Sequence, residues 1–177
     1  MKQNIYVQKM VLAASLAAIS IIIDVFFKLV LNIQNFGLPF YAIPIIFGSI
    51  ILGPSYGIMI ALVGDVIGVI TANQTFLPFF VLGPIMWGLI PGLILHKKYV
   101  ISRLVWVIPL TYLCASLSNT LALMIHFDIQ TTLSLLLIRM SLIPFNSVIM
   151  FFLIKDIHFK LNPFFERFEF KPQEASQ

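Results

Sequence analysis

The sequence predicts an all-α integral membrane protein, a single bundle of six transmembrane helices over residues 1–177 with both termini in the cytoplasm. Hydrophobic residues make up 60% of the chain and the mean hydropathy is +1.01. Charged residues make up 10%, against about 25% in soluble domains. A soluble fold of this length could not hide so much apolar surface, because small domains leave a large fraction of their chain exposed. Lipid is therefore the expected solvent.

The apolar stretches divide into segments close to the ~20 residues that cross a membrane. Gly53 and Pro54 interrupt the second stretch, and a proline resists helix continuation while pushing the preceding residue towards extended geometry. The charged, phenylalanine-rich C-terminal segment is expected to lie along the membrane surface as a cytoplasmic tail. The predicted helices are about 5–31, 39–52, 55–71, 76–95, 100–125 and 131–154, followed by the amphipathic tail 155–177.

The placement of basic residues predicts the orientation. With the N-terminus inside, every Lys and Arg except Lys28 and Arg139 falls at the cytoplasmic end of the bundle. The three predicted outer loops, 32–38, 71–75 and 126–130, contain no Lys or Arg, as the positive-inside rule requires. The formal charge of +4 is explained by this topology rather than by nucleic acid binding, since no basic run is present.

The sequence lacks the common signatures of enzymes. It contains no H-E-x-x-H, no G-x-S-x-G, no Walker A loop and no Cys/His cluster with ligand spacing. Cys114 is the only cysteine, so an internal disulfide is excluded. We predict that the chain is not an enzyme and uses no cofactor or metal.

Four charged residues lie well inside the predicted spans, away from their cytoplasmic ends, where each charge costs about 2.5–3.5 kcal/mol on the insertion scale. Asp24 and Lys28 are four residues apart, acid first, and are predicted to pair with each other. Asp65 lies between two glycines that allow close helix approach, and either a structural hydrogen bond or a ligand contact would explain it. Arg139 carries a permanent charge and a planar fork suited to carboxylates. It is predicted either to pair with an internal aspartate or to receive an anionic substrate.

The outer loops are polar without being charged, and aromatic residues flank them. Aromatic walls with a few amides are typical of a small-molecule pocket, although aromatic residues also line the membrane interface in general. The candidate substrate-binding residues from this pattern are Asn35, Phe36, Tyr41, Asn73, Gln74 and Phe76, together with Arg139.

Helix 1 carries small residues at a spacing of four, Ala13 with Ala17 and Ala14 with Ala18. Such side chains let another helix approach closely, which drives helix association in lipid.

Several motifs occur in a fixed order along the chain. They are the paired alanines of helix 1, Phe36-Gly-Leu-Pro39, Leu52-Gly-Pro-Ser-Tyr-Gly57, Gly64-Asp-Val-Ile-Gly68, and Arg139 followed by Ile143-Pro-Phe-Asn146. In this order they resemble the substrate-binding S components of energy-coupling factor (ECF) vitamin transporters, in particular the folate-type group. The resemblance covers nearly the whole chain.

The resemblance implies a protein of the bacterial cytoplasmic membrane that binds a vitamin at its outward face. It would then associate with a transmembrane coupling subunit and two cytoplasmic ATPases, and topple in the lipid bilayer to release its ligand. It also implies that Ala13, Ala14, Ala17 and Ala18 dock on the coupling subunit, and that Asn146 contacts substrate.

The folate-type group carries an arginine in helix 1, where this chain has Asp24 and Lys28. This departure counts against folate itself and keeps pantothenate, hydroxymethylpyrimidine or another small vitamin open. Within the family, folate and pantothenate are the favoured ligands. The alternative from another class is a polytopic membrane enzyme or assembly factor with a cryptic site.

The topology can be tested by labelling single cysteines in intact cells, in a Cys114→Ser background. Cysteines introduced at Gln34 and Asn73 are expected to react with an impermeant reagent, because both positions fall in predicted outer loops. Cysteines at Lys98 and Lys171 are expected to be protected until the cells are permeabilised. Labelling of position 98 from outside would contradict the six-helix topology.

Overall fold

The structure is a computed structural model that describes residues 2–30, 38–71, 75–97, 99–126 and 128–167. Within these ranges every regular element is helical, which confirms the all-α bundle. The helices are α1 (Lys2–Val25) with a π-helical turn (Phe26–Val30), α2 (Ala42–Leu52), α3 (Pro54–Thr71), a 3-10 turn (Pro78–Val81) leading into α4 (Leu82–Leu95), α5 (Ile101–His126) and α6 (Ile129–Arg167).

Five of these helices, all except α2, are long and apolar enough to cross a membrane. Helix α2 has 11 residues, or roughly 16 Å at 1.5 Å per residue, which is about half of the ~30 Å hydrocarbon core. Every residue of α2 except Ile43 is buried, and the helix contacts α1, α3, α4 and α6. A helix that is hydrophobic on all sides belongs in a core, and α2 forms the centre of this bundle.

The chain turns sharply between α2 and α3 at Gly53. Its φ of 102° lies in the left-handed region that only glycine adopts without strain. The ring of His96, which follows α4, lies against this glycine and its Nδ1 is 2.8 Å from the carbonyl oxygen of Ile50. The predicted break at Gly53-Pro54 is thus present, and the segment after α4 holds it in place.

Close backbone contact joins α3 to α4. A Cβ atom added at Gly88 would collide with the backbone of Gly57, and one at Gly92 would lie 2.6 Å from the Cα of Pro54. Small residues of this kind allow helices to approach closely in lipid, where packing drives association.

Helix α6 differs from the sequence expectation, because it continues to Arg167 rather than ending near residue 154. Its buried face extends through Met150, Ile154 and His158, and the His158 ring stacks on Tyr99 with centroids 3.7 Å apart. Burial raises the pKa of Tyr99 to about 12. The charges after Ile154 mark the end of the apolar span, whereas the helix itself continues because one face still packs on the loop between α4 and α5. Residues 168–177 of the predicted tail lie outside the described ranges.

Candidate ligand-binding cavity

A cavity of about 390 Å³ lies among α1, α3, α4, α5 and α6. It is situated at the end of the bundle where α1, α3 and α5 finish and α4 and α6 begin. In the predicted topology this is the outward end, opposite to the basic residues. Both polar and apolar side chains line the cavity, as in sites that orient small molecules with a few polar groups on an apolar wall.

Only some of the predicted substrate-binding residues are found at the cavity. Tyr41, Phe76 and Arg139 line the cavity, whereas Asn146 is buried nearby without lining it. The remaining predictions, Asn35, Phe36, Asn73 and Gln74, lie outside the described residues.

Arg139 reaches the cavity from α6. Its Nη1 atom is buried and has no hydrogen-bond partner, and within the described ranges no carboxylate lies within ion-pair distance of the guanidinium. Of the two sequence hypotheses, pairing with an internal aspartate is therefore not what the structure shows. A permanent charge with a buried, unpaired donor is costly, and the cavity is the direction from which a partner can come.

The predicted pair between Asp24 and Lys28 is confirmed. The Lys28 ammonium donates to Asp24 Oδ2 at 2.6 Å, with 20% and 12% of the two side chains exposed. The π-helical turn that follows Asp24 contains Phe27 and Lys28, which both line the cavity. Single π-helical turns occur frequently at functional sites, and this one forms the α1 wall.

The glycines that flank Asp65 make room for α1, as their spacing predicted. A Cβ atom added at Gly64 would lie 3.4 Å from Ser20 Oγ, and one at Gly68 would press on the carboxylate of Asp24. Asp65 itself is half-buried and lines the cavity. Neither a hydrogen bond nor an ion pair is found for its carboxyl group within the described ranges, so the structural hydrogen bond that we considered is not observed.

Sequence reasoning missed a polar face of α5. Tyr112, Ser116 and Asn119 follow one another at helical spacing and all line the cavity. The Oδ1 atom of Asn119 is buried without a hydrogen-bond partner. The Tyr112 ring packs against Trp87 of α4, with centroids 5.6 Å apart. Polar residues at positions i, i+4 and i+7 of an apolar helix were a usable signal, and they lie on the face that turns towards the ligand space.

A comparison with protein families matches residues 8–161 to the family described as "ECF transporter, substrate-specific component". The chain belongs to this family. No curated protein and no solved structure matches it. It is thus a substrate-binding component of a transporter rather than a member of an enzyme family, and such components work with an energising module of a membrane coupling subunit and ATPases.

In this S component Asn146 supports the cavity from behind. It is fully buried on α6, and its Nδ2 donates to the Tyr112 hydroxyl at 3.0 Å. That hydrogen bond joins α6 to the cavity face of α5. Asn146 does not line the cavity and its hydrogen bond is to Tyr112, so its role as a direct substrate contact stays a prediction.

The paired alanines of α1 lie on two different faces. Ala13 and Ala17 are buried in the hydrophobic core, with 9% and 5% of their surface exposed. Ala14 and Ala18 are exposed on the outside of the bundle. Only Ala14 and Ala18 are therefore accessible to a partner helix, and their docking role stays a prediction.

The Asn146–Tyr112 bond can be tested with a double-mutant cycle. Asn146→Leu and Tyr112→Phe are each expected to lower the melting temperature of the detergent-solubilised protein, because each leaves a buried partner unsatisfied. The free energy of unfolding should fall less in the double variant than the sum of its decreases in the two single variants. The difference, which is the coupling energy of the two side chains, is expected to be about 0.5–1.5 kcal/mol. Strictly additive losses would show that the two groups do not interact.

Proposed function

We propose that this S component captures a vitamin or vitamin precursor that carries a carboxylate, with folate and pantothenate as the favoured ligands. It would deliver this ligand to an ECF module in the bacterial cytoplasmic membrane. The observation that carries the proposal is the buried, unpaired Nη1 of Arg139 in a cavity at the predicted outward end.

The chemistry of Arg139 favours a carboxylate ligand. A guanidinium cannot lose its charge in a protein, and placing it unpaired in the low-dielectric interior is costly. A carboxylate matches its planar fork through two charge-assisted hydrogen bonds. Hydroxymethylpyrimidine is neutral and would leave the guanidinium uncompensated, so it is the least favoured of the three ligands.

The outer face of α1 supports a coupling role. Ala14 and Ala18 present small exposed side chains one helical turn apart, and such a surface allows a partner helix to approach closely. The chain contains no Walker A loop, so the energy for uptake would come from the two ATPases of the module.

Replacing Arg139 tests the ligand class. Arg139→Met is expected to weaken binding of the carboxylate vitamin on the order of 30-fold or more, because losing one partner of a desolvated charge pair costs about 2–5 kcal/mol. Isothermal titration of the purified protein with folate and with pantothenate measures the affinity. A melting curve of the ligand-free variant confirms folding.

The matched control is Arg103→Met, since Arg103 is exposed on the first turn of α5 at the opposite end of the bundle. This variant should bind as the parent protein does. If a folded Arg139→Met variant retains the parent affinity, Arg139 does not hold the ligand.

Blocking the outer face of α1 tests coupling. In the double variant Ala14→Trp/Ala18→Trp, uptake by cells that express the whole transporter should fall to background, because bulky side chains prevent close helix approach. Ligand binding to the isolated S component should survive, since neither residue lines the cavity. Leu117→Trp/Leu121→Trp on an exposed face of α5 is the control. Transport that persists in the α1 variant would mean that docking uses another surface.

A further inference from the structure

The cavity contains ionisable side chains of both signs, and the structure pairs only some of them. Asp24, Asp65, Lys28 and Arg139 all line it. Asp24 is paired with Lys28 at 2.6 Å, whereas Asp65 and Arg139 have no ion-pair partner within the described ranges. Although opposite in charge and lining one cavity, Asp65 and Arg139 do not meet each other within ion-pair distance. Each therefore presents an unmatched group to the same enclosed space.

The end of the cavity between α1 and α3 has a surplus of acceptors. Lys28 lies within electrostatic range of both Asp24 and Asp65, so one ammonium serves two carboxyl groups. The hydrogen-bonding partner of Lys28 is Asp24, which leaves the carboxyl oxygens of Asp65 without a donor. Oxygen acceptors in such a place are satisfied by N–H or O–H groups, and a planar group with two parallel N–H donors can bond both oxygens of one carboxylate at once.

The two ends belong to the same cavity. Asp24 and Asp65 line it together with Tyr41, Tyr112 and Arg139. The acidic end and the arginine end are thus parts of one continuous space rather than separate pockets. A single small molecule can therefore reach both.

We infer that the ligand is bipolar, with a carboxylate for Arg139 and, at its other end, an amino-substituted nitrogen ring whose N–H groups donate to Asp65. This inference rests on the proposed function and narrows its ligand class. Such a molecule satisfies both unmatched groups at once, whereas a ligand with only one pole leaves a desolvated charge or acceptor unpaired, which costs affinity. Of the vitamins considered above, folate has both poles. Pantothenate has one amide N–H in the middle of its chain and hydroxyl groups, but no nitrogen ring, at the end opposite its carboxylate. Hydroxymethylpyrimidine lacks the carboxylate.

The test combines two cavity variants with two probes, folate and pantothenate, in isothermal titrations of the purified protein. Asp65→Asn keeps the size of the side chain and removes its charge, and Asp156→Asn is the matched control on the exposed part of α6. Folate affinity is expected to fall on the order of 10-fold to 100-fold in Asp65→Asn, to fall also in Arg139→Met, and to be unchanged in Asp156→Asn.

A second measurement needs no variant, so it is independent of whether Asp65→Asn folds. The parent protein is titrated with p-aminobenzoylglutamate, which keeps the carboxylates and the aminobenzoyl group of folate and lacks its amino-substituted pterin ring. At least about 10-fold weaker binding than that of folate is expected, because the donor pole that the pterin ring supplies is lost. Equal affinities for the two compounds would overturn the bipolar assignment.

The outcomes separate this inference from the proposed function. Pantothenate binding as tight as or tighter than that of folate, sensitive to Arg139→Met and indifferent to Asp65→Asn, overturns the bipolar ligand and leaves carboxylate capture standing. Absence of folate binding to the folded parent also overturns the bipolar ligand. The wider function is tested separately, by co-expressing the S component with the ECF module. The S component should then co-purify with the coupling subunit, and the cells should take up the vitamin.

Discussion

A charge in the hydrocarbon region of a membrane must be paired or must face a polar space, and this constraint organises the end of the bundle that holds the cavity. Four ionisable side chains from α1, α3 and α6 converge on one cavity, and none of the four is directed towards lipid alone. Asp24 and Lys28 neutralise each other within α1. Asp65 and Arg139 instead face the cavity, where a ligand can supply the missing partner. The unpaired groups of Asp65 and Arg139 are costly to place in a membrane, and for the same reason they favour a ligand that pairs with them.

The apolar half of the molecule makes this arrangement rigid. Helix α2 is shorter than the other helices of the bundle and is buried on nearly all sides, so the longer helices pack around it. Glycines bring α3 against α4 and against α1 with almost no side chain between them. Because the helices are this close, contacts between their backbones fix the positions of the cavity walls. Within this frame a single hydrogen bond from Asn146 holds the side chain of Tyr112.

Helix α1 serves both halves of the proposed transport function. Near its middle, Ala13 and Ala17 pack into the core while Ala14 and Ala18 remain accessible on the other side. At its C-terminal end, including the π-helical turn, the same helix supplies Asp24 and Lys28 to the cavity. The surface proposed for docking and one wall of the cavity are therefore parts of a single rigid element, and a partner that moves α1 also moves that wall.

The sequence by itself determined the class of the protein and the features that depend on near neighbours in the chain. Hydropathy and length predicted the membrane helices, Gly53-Pro54 predicted the break between α2 and α3, and the spacing of Asp24 and Lys28 predicted their ion pair, because these depend on composition or on contacts within one helical turn.

Arg139 was identifiable as a costly buried charge, but its partner was not. Only the tertiary structure decided that it faces a cavity, that Asn146 supports Tyr112 from behind, and that the alanines of α1 divide between two faces. Each of these depends on how a helix is rotated about its own axis against its neighbours, which local spacing does not specify. The length of α6 was decided in the same way, because the stacking of His158 on Tyr99 joins segments that are far apart in the chain.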